Sequence, residues 1–439
     1  MTVKEALASW KVEMVKAAMD EEIHSLGTWE LVERPRGVNI MKNRWVLTTK
    51  YRIDDTVERE KARLVVKGFT QVYGADYNET YSPVTSYVTL RIFINFVAIL
   101  DLNLIQLDMK NAFLQSKLDR VLYMYQPDYF DDGTSRVCKL LKSLYGLKQT
   151  PLLWDRALHS VVLGATWKKS QVNTELYFKV GDDGVTCLVL VYVDDLLAAS
   201  SSTAMMKELL EAAFELREIC SIEKRFIDEE QGGRTPKTPV FVDAYAELTF
   251  DNEEAQECEE EEYRQKVGSL QFITTTMRPY IAFACSKLGS SLTVRSDQHW
   301  RKIDRCLSYL ADTRDTALEF GGVPESLKLV SYVGADNAGD KKNRTSTGGY
   351  VFVYGGAAVS WSSLRIKCAT LSSTESDYMA ATDAGKEGRR LCFLLVEFQQ
   401  LDVGKLTVLR VDNKSAITVA EGLGLQGNLK HMERRYAWL

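Results

Sequence analysis

The chain has 439 residues, enough for about three domains, and its 45% hydrophobic and 26% charged residues are the balance of an ordinary globular protein. The formal net charge of −5 provides no global field to attract a nucleic acid, so any such partner would have to be held by local basic patches. Eight cysteines without a CxxC spacing and four histidines disfavour a zinc site or a disulfide framework and point to a reducing compartment, while the longest apolar run, Ile92 to Leu100, is broken by Asn95 and too short to span a bilayer.

Val3 to Ile23 carries Leu7, Trp10, Met14 and Ala18 at helical spacing, which predicts an amphipathic helix; Met1 to Trp10 has charge and no apolar core, so it is not a signal peptide. Trp29 to Val32 and Arg44 to Tyr51 read as strands. Val57 to Phe69 carries the basic set Arg59, Lys61, Arg63 and Lys67, and over Lys61 to Lys67 the cations alternate with apolar residues, giving a strand with one positive face and one buried face. Such a face suits phosphates; taken alone, a solvated edge kept charged against aggregation accounts for it better. Leu90 to Leu100 reads as a buried helix. Leu104 to Leu107 is an apolar strand that ends on Asp108, an acid that either caps a helix starting near Lys110 or faces another acid-bearing strand.

Three lysines, a glycine and a glutamine in Cys138 to Gln149 precede a helix, a pattern suited to a phosphate backbone and a base or sugar. In Cys187 to Ala199 two adjacent acids, Asp194 and Asp195, interrupt one apolar run, the signature of strand, turn and strand. Buried carboxylates cost several kcal/mol each unless something positive compensates, and Mg2+ is the hard cation that suits them. An exposed Asp-Asp turn explains the same four residues equally well. If Asp108 lay beside this turn, three carboxylates would converge, the number that holds two metal ions about 3.5–4 Å apart for in-line transfer.

Ala204 to Leu216 is predicted helical, and 217 to 262, with Pro236, Pro239, Gly232-Gly233 and an acidic run, reads as loop or linker. Tyr263 to Leu310 is helical, with Val267, Leu270 and Ile273 on one face and Ile281, Ala284 and Leu288 on another. From Leu329 strands return: one ends at Asp336, two more run from Gly348 to Trp361 around Gly355-Gly356, and Leu406 to Val411 ends at Asp412, with a helix bearing Glu375 between. With Glu433, these acids form a second candidate two-metal set suited to hydrolysis; singly, each is as ordinary as a helix cap.

Glu58 to Gln71, Glu79 to Val84, Gln106 to Leu114, Ser143 to Gln149 and Tyr192 to Asp195 together resemble the reverse transcriptase of copia-type long-terminal-repeat retrotransposons. Ser346 to Tyr350, Ser360 to Ser363 and Ser372 to Tyr378 resemble its ribonuclease H region. The resemblance implies an α+β chain: fingers and palm over 1–228, an irregular acidic linker or shortened thumb over 229–262, a helical connection over 263–320 and an α/β ribonuclease H-like domain over 321–439. It implies that Asp108, Asp194 and Asp195 bind two Mg2+, that Phe113 lies under the incoming sugar, that Lys61 and Arg63 hold the triphosphate, and that Gln149 contacts the nascent pair. Asp336, Glu375 and Asp412 match the ribonuclease H acids and metal ligands, with Glu433 where the family more usually has Asp. The implied partners are an RNA template, a DNA primer–template, RNA–DNA hybrid, deoxynucleoside triphosphates and other polyprotein products, in cytoplasmic particles and with no membrane.

Several positions depart from the family pattern. The stretch after Asp195 lacks the usual Phe-Leu-Gly signature, the arginine expected after Pro151 is missing, and Tyr280 stands for the acid usual after Arg278-Pro279. The absence of protease, zinc-knuckle and integrase motifs gives the expectation of the C-terminal part of a polyprotein. The leading reading is an RNA-directed DNA polymerase with ribonuclease H. The alternative is a degenerate or co-opted copy that binds nucleic acid without catalysis, and an unrelated metal-dependent nuclease ranks last because it leaves the finger and Gln149 motifs unexplained.

Overall fold

The computed structural model describes residues 3–8, 11–52, 56–109, 112–164, 167–180, 186–202, 216–221, 260–290, 292, 297–321, 327–340, 344–398 and 407–421. They fall into two units that interleave along the chain: 1–85, 104–169 and 174–221 in the first, and 86–103, 170–173 and 222–439 in the second.

The first unit is built on two cores. In one, helix Val12–Leu26 lays Val15, Ala18 and Met19 against a two-stranded hairpin, Asn43–Tyr51 with Val57–Val66. Along Val57–Val66 the alternation written in the sequence is realised: Ala62, Leu64 and Val66 are buried, while Lys61, Arg63 and Val65 between them are only half-buried. A two-stranded hairpin is marginal in water. Here its inner face joins Met41, Met124 and Cys138 of a small four-stranded sheet, which supplies the missing layer.

The second core lies under a six-stranded sheet of strand order Leu216–Ser221, Asn103–Met109, Asp195–Ser200, Thr186–Tyr192, Leu176–Val180 and Lys168–Lys169. Helix Thr150–Gly164 packs Trp154, Leu158 and Val162 against Ile105, Leu107, Val189 and Val191 of that sheet. One expectation is corrected here. Residues 217 to 221, read as linker, form an edge strand with Leu216 that pairs antiparallel with Asn103–Met109 and sets Arg217 opposite Asp108. Short alternation next to polar residues concealed a strand whose stability comes from its ladder partner. The expected helix from Ala204 lies outside the described residues up to 215, as does the expected linker over 229–259.

In the second unit, helices Glu260–Thr276, Ala282–Gly289 and Asp297–Asp312 form one core through Val267, Leu270, Ile281, Ala284, Leu288 and Ile303. A sheet of order Ala357–Ala369, Thr345–Tyr354, Val330–Ala335 and Val408–Val411 is a meander closed by one parallel strand, and helix Ser373–Glu397 contacts its strands. Gly355 and Gly356, at φ +56° and +85°, make the tight turn that the sequence placed there.

The first 228 residues do not all fall in one unit. Helix Tyr87–Ile99, inside the stretch assigned to fingers and palm, belongs to the second unit. Its Arg91 guanidinium donates to the carbonyls of Val359 (2.8 Å), Thr275 (2.7 Å) and Thr276 (3.0 Å) and lies 3.8 Å from the ring centre of Trp361. Burial lowers its pKa to about 10, against the opposing pull of Glu387. Asn95 donates to Tyr354 O and Phe96 meets Phe398. The helix is apolar on most faces, so its periodicity says that it is buried and not which core buries it. The helices of 263–320 likewise share that unit with the C-terminal sheet.

Candidate active site

Asp108 stands one residue from the end of strand Asn103–Met109, and that strand neighbours Asp195–Ser200. The hairpin register pairs Tyr192 with Asp195, leaving Val193 and Asp194 as a two-residue loop. Its geometry is unusual. Val193 has φ +62°, the region that such turns normally give to Gly or Asn, and a β-branched residue there costs on the order of 1–3 kcal/mol. The turn is held from outside: Met109 N donates to Asp194 O (3.0 Å), Trp154 Nε1 to Val193 O (2.7 Å), and Thr85 Oγ1 to Val191 O (2.7 Å).

The structure therefore gathers the three expected palm acids at one end of one sheet. Burial, then the charge of Asp194 and also that of Asp108, push the Asp195 carboxyl above the usual carboxylate range, and Gln106 partly offsets this by donating to it at 3.4 Å.

Facing these acids is a cavity of about 330 Å³ lined by Asp108, Asp194, Phe113, Arg59, Lys61, Arg63 and Tyr145, with Glu21, Glu22 and Glu60 among the other wall residues. Lys61 is lowered from the usual lysine range by burial first and then by Arg63, Arg59 and Lys50, the signature of cations crowded on one strand face. Glu60 does not neutralise them, because it is taken up by Lys11 at 2.6 Å and by Thr49. Arg63 lies over the Tyr145 ring at 5.6 Å, and its Nε is buried without a hydrogen-bond partner. A buried donor left open beside crowded cations is what an anionic ligand would satisfy. Phe113 meets Tyr145 edge-on at 5.8 Å, which fixes its ring in the wall.

Gln149 is placed differently from the other expected residues. It is fully buried, accepts from Gln71 Nε2 (2.9 Å) and donates to Asp76 O (2.9 Å), and it does not line the cavity. In this structure its amide braces the segment beneath the site. Two glycines make that bracing possible. A Cβ on Gly146, at φ +88°, would overlap the Val66 carbonyl oxygen, and one on Gly68 would overlap Gly146 O. The basic strand and the 143–149 segment thus approach backbone to backbone, with Val66 N donating to Tyr145 O at 2.8 Å.

In the second unit, Asp336 and Asp412 follow the parallel strands Val330–Ala335 and Val408–Val411, and Glu375 is in the first turn of helix Ser373–Glu397. Asp377, which sequence reasoning missed, ties these ends together: it accepts from Ala335 N (2.8 Å) and from Asn413 Nδ2 (2.9 Å). The available signal was a second acid two residues beyond Glu375, in the same helix. Glu375 is 2% exposed and accepts from Leu371 N at 2.7 Å, while Ser372 caps the helix through Glu375 N. Asp336 Oδ1 accepts from Thr347 N. Glu433 lies outside the described residues.

Hard carboxylate oxygens on neighbouring strands fit Mg2+, and a dication offsets both the burial and the Asp194 and Asp108 charges that raise Asp195. Among the described residues no three His, Cys, Asp or Glu side chains are already gathered at ligand spacing, so binding would have to draw the carboxylates in. Among the same residues no helix is long and apolar enough to cross a membrane.

A family model described as reverse transcriptase (RNA-dependent DNA polymerase) matches residues 26–246. The retrovirus-related Pol polyprotein from transposon TNT 1-94 of Nicotiana tabacum is 34% identical over 476 residues, covering 100% of this chain and 36% of its own length. The corresponding polyprotein from transposon RE2 of Arabidopsis thaliana is 32% identical, covering 99% of this chain and 32% of its own. The chain thus spans about a third of the length of these curated relatives. Among solved structures, a foamy viral protease-reverse transcriptase in complex with double-stranded DNA is 15% identical with a TM-score of 0.51, covering 97% of this chain and 66% of that one. That likeness is one of fold.

Proposed function

The chain belongs to the reverse transcriptase family of copia-type retrotransposon polyproteins, and from that premise we propose that it is an RNA-directed DNA polymerase carrying a ribonuclease H region. The observation that supports this most is the shared cavity, lined together by Asp108, Asp194, Lys61, Arg63 and Phe113.

Asp108, Asp194 and Asp195 would hold the Mg2+ ions, two per site. When bound, these supply activation of the primer 3′-hydroxyl and neutralise charge on departing pyrophosphate. Lys61 and Arg63 bind the triphosphate of the incoming deoxynucleotide, with the Arg63 Nε as an open donor. Phe113, fixed by Tyr145, is the surface on which the sugar rests, and its bulk excludes a 2′-hydroxyl. Gln149 acts through Gln71 and the 143–149 backbone and is a positioning residue. In the second unit Asp336, Glu375, Asp412 and Glu433 form the hydrolytic set, acting on the RNA strand of an RNA–DNA hybrid. The same family membership leads us to assign the protein to cytoplasmic particles with other products of its polyprotein.

One observation favours a second reading for the hydrolytic region. The Glu375 carboxylate is engaged by the backbone N–H of Leu371, just before the Ser372 cap, so the chain would polymerise, or only bind hybrid, without cleaving it. The discriminating experiment measures salt-dependent binding of an RNA–DNA hybrid and Mg2+-dependent release of labelled RNA fragments from it. Cleavage abolished by Asp336→Asn supports hydrolysis; tight binding with intact RNA supports the second reading.

A further inference from the structure

We propose that Trp154 is a positioning residue for the catalytic turn, its indole N–H holding Val193 in a left-handed conformation and so fixing where the backbone of Asp194 and Asp195 lies.

The turn has two firm ends. Before it, Val191 is held on both sides, its N–H donating to Glu175 O (2.9 Å) and its carbonyl accepting from Thr85 Oγ1 (2.7 Å). After it, Asp194 O accepts from Met109 N (3.0 Å). Between these points the chain passes through Val193 at φ +62°, where an L-residue with a branched Cβ meets its own backbone and tends to relax toward negative φ. With the chain before it held at Val191, that relaxation turns the Val193 N–Cα bond and swings the Val193 carbonyl, which Trp154 Nε1 holds at 2.7 Å. Trp154 is suited to be a fixed donor. It is 3% exposed, it lies in helix Thr150–Gly164, and its ring is packed in the core beneath the sheet. An indole N–H is a donor only, so it selects a carbonyl and rejects the flipped peptide, which would present an N–H.

This explains why valine is tolerated where glycine would be unstrained. A glycine turn would sample both signs of φ and let the acids wander; a strained valine with a tether has one conformation. The effect on rate rests on the polymerase reading, whereas the effect on the turn does not.

The test compares the wild type with Trp154→Phe, Val193→Gly and the double variant, using three readouts: amide exchange of the 190–197 segment, equilibrium affinity for Mn2+, and primer extension resolved into kcat and KM. In Trp154→Phe the turn amides should exchange about tenfold faster and Mn2+ affinity and kcat should fall about tenfold, with KM for the deoxynucleotide unchanged. Adding Trp154→Phe to Val193→Gly should cost much less, because the strain opposed by the tether is gone. If Trp154→Phe does not fold, β-(3-benzothienyl)alanine at position 154 keeps the shape and removes only the N–H. Unchanged turn exchange and Mn2+ affinity, or an equal loss in both backgrounds, overturns the proposal. A wild type that never extends a primer defeats the polymerase reading, and exchange and Mn2+ affinity still decide the role of Trp154; a wild type that binds no Mn2+ counts against both.

Discussion

The amide of Met109 donates to the carbonyl of Asp194 at 3.0 Å, so the residue after Asp108 is joined directly to the first acid of the Val193–Asp194 turn. That single bond relates acids 86 residues apart in sequence (positions 108 and 194) and places two like charges on joined strand ends. The repulsion has a consequence for stability. Asp195 has its pKa raised above 3.8 in the fold by burial, Asp194 and Asp108, so the folded state holds the proton more tightly than the unfolded chain. Stability is therefore lost as pH rises through the folded pKa. Asp195→Asn should raise the metal-free melting temperature at neutral pH and abolish any rise produced by Mg2+, both read by thermal denaturation.

Glu175 gives a second, separate pH signature. Burial, and then the Asp155 charge, push it up to about 7 from 4.5. The sign is the same: its neutral form favours the fold, and stability falls as pH rises from about 4.5 through 7. Glu175→Gln should flatten urea-unfolding stability across that window and leave the variant more stable than wild type at pH 8.

Arg63 should matter for substrate more than for fold. Its Nε is an open buried donor on the cavity wall, and its charge lowers the Lys61 pKa. Arg63→Gln is expected to raise KM for the deoxynucleoside triphosphate about tenfold, or ~1.4 kcal/mol, with a far smaller change in kcat. Steady-state extension at varied triphosphate measures both.

Gly146 tests the brace between the basic strand and the 143–149 segment. At φ +88° with the Val66 carbonyl against it, it has no room for a side chain. Gly146→Ala should destabilise the chain by about 2 kcal/mol or more, read from the urea midpoint.

Local interactions were legible in the sequence and distant ones were not. Asp108, Asp194 and Asp195 stood out because a carboxylate at the end of an apolar strand is costly without a purpose, and the alternation around Lys61 and Arg63 wrote both faces of the strand. Gln149 was conspicuous for its setting among lysines, yet its amide is spent internally on Gln71 and Asp76, a pairing between residues 71, 76 and 149 that no local pattern contains. Trp154 looked like one more core aromatic, and its importance lies in a carbonyl 39 positions away whose φ no pattern predicts. Helix Tyr87–Ile99 was recognisable as buried, but its Arg91 reaches Thr275 and Val359, so its allegiance to the second unit is a tertiary fact. The edge strand at Leu216 was hidden for a related reason, since its ladder partner is Asn103–Met109, more than a hundred residues earlier.

The central claim is that Asp108, Asp194 and Asp195 make a working polymerase site opposite Lys61 and Arg63. Its most direct test is Mg2+-dependent extension of a DNA primer on an RNA template by the purified chain, side by side with Asp194→Asn. Extension by the wild type that disappears in the variant, with hybrid binding retained by both, is the result expected. A folded wild type that binds the hybrid and adds no nucleotide, or an Asp194→Asn chain that extends as well as wild type, would contradict it.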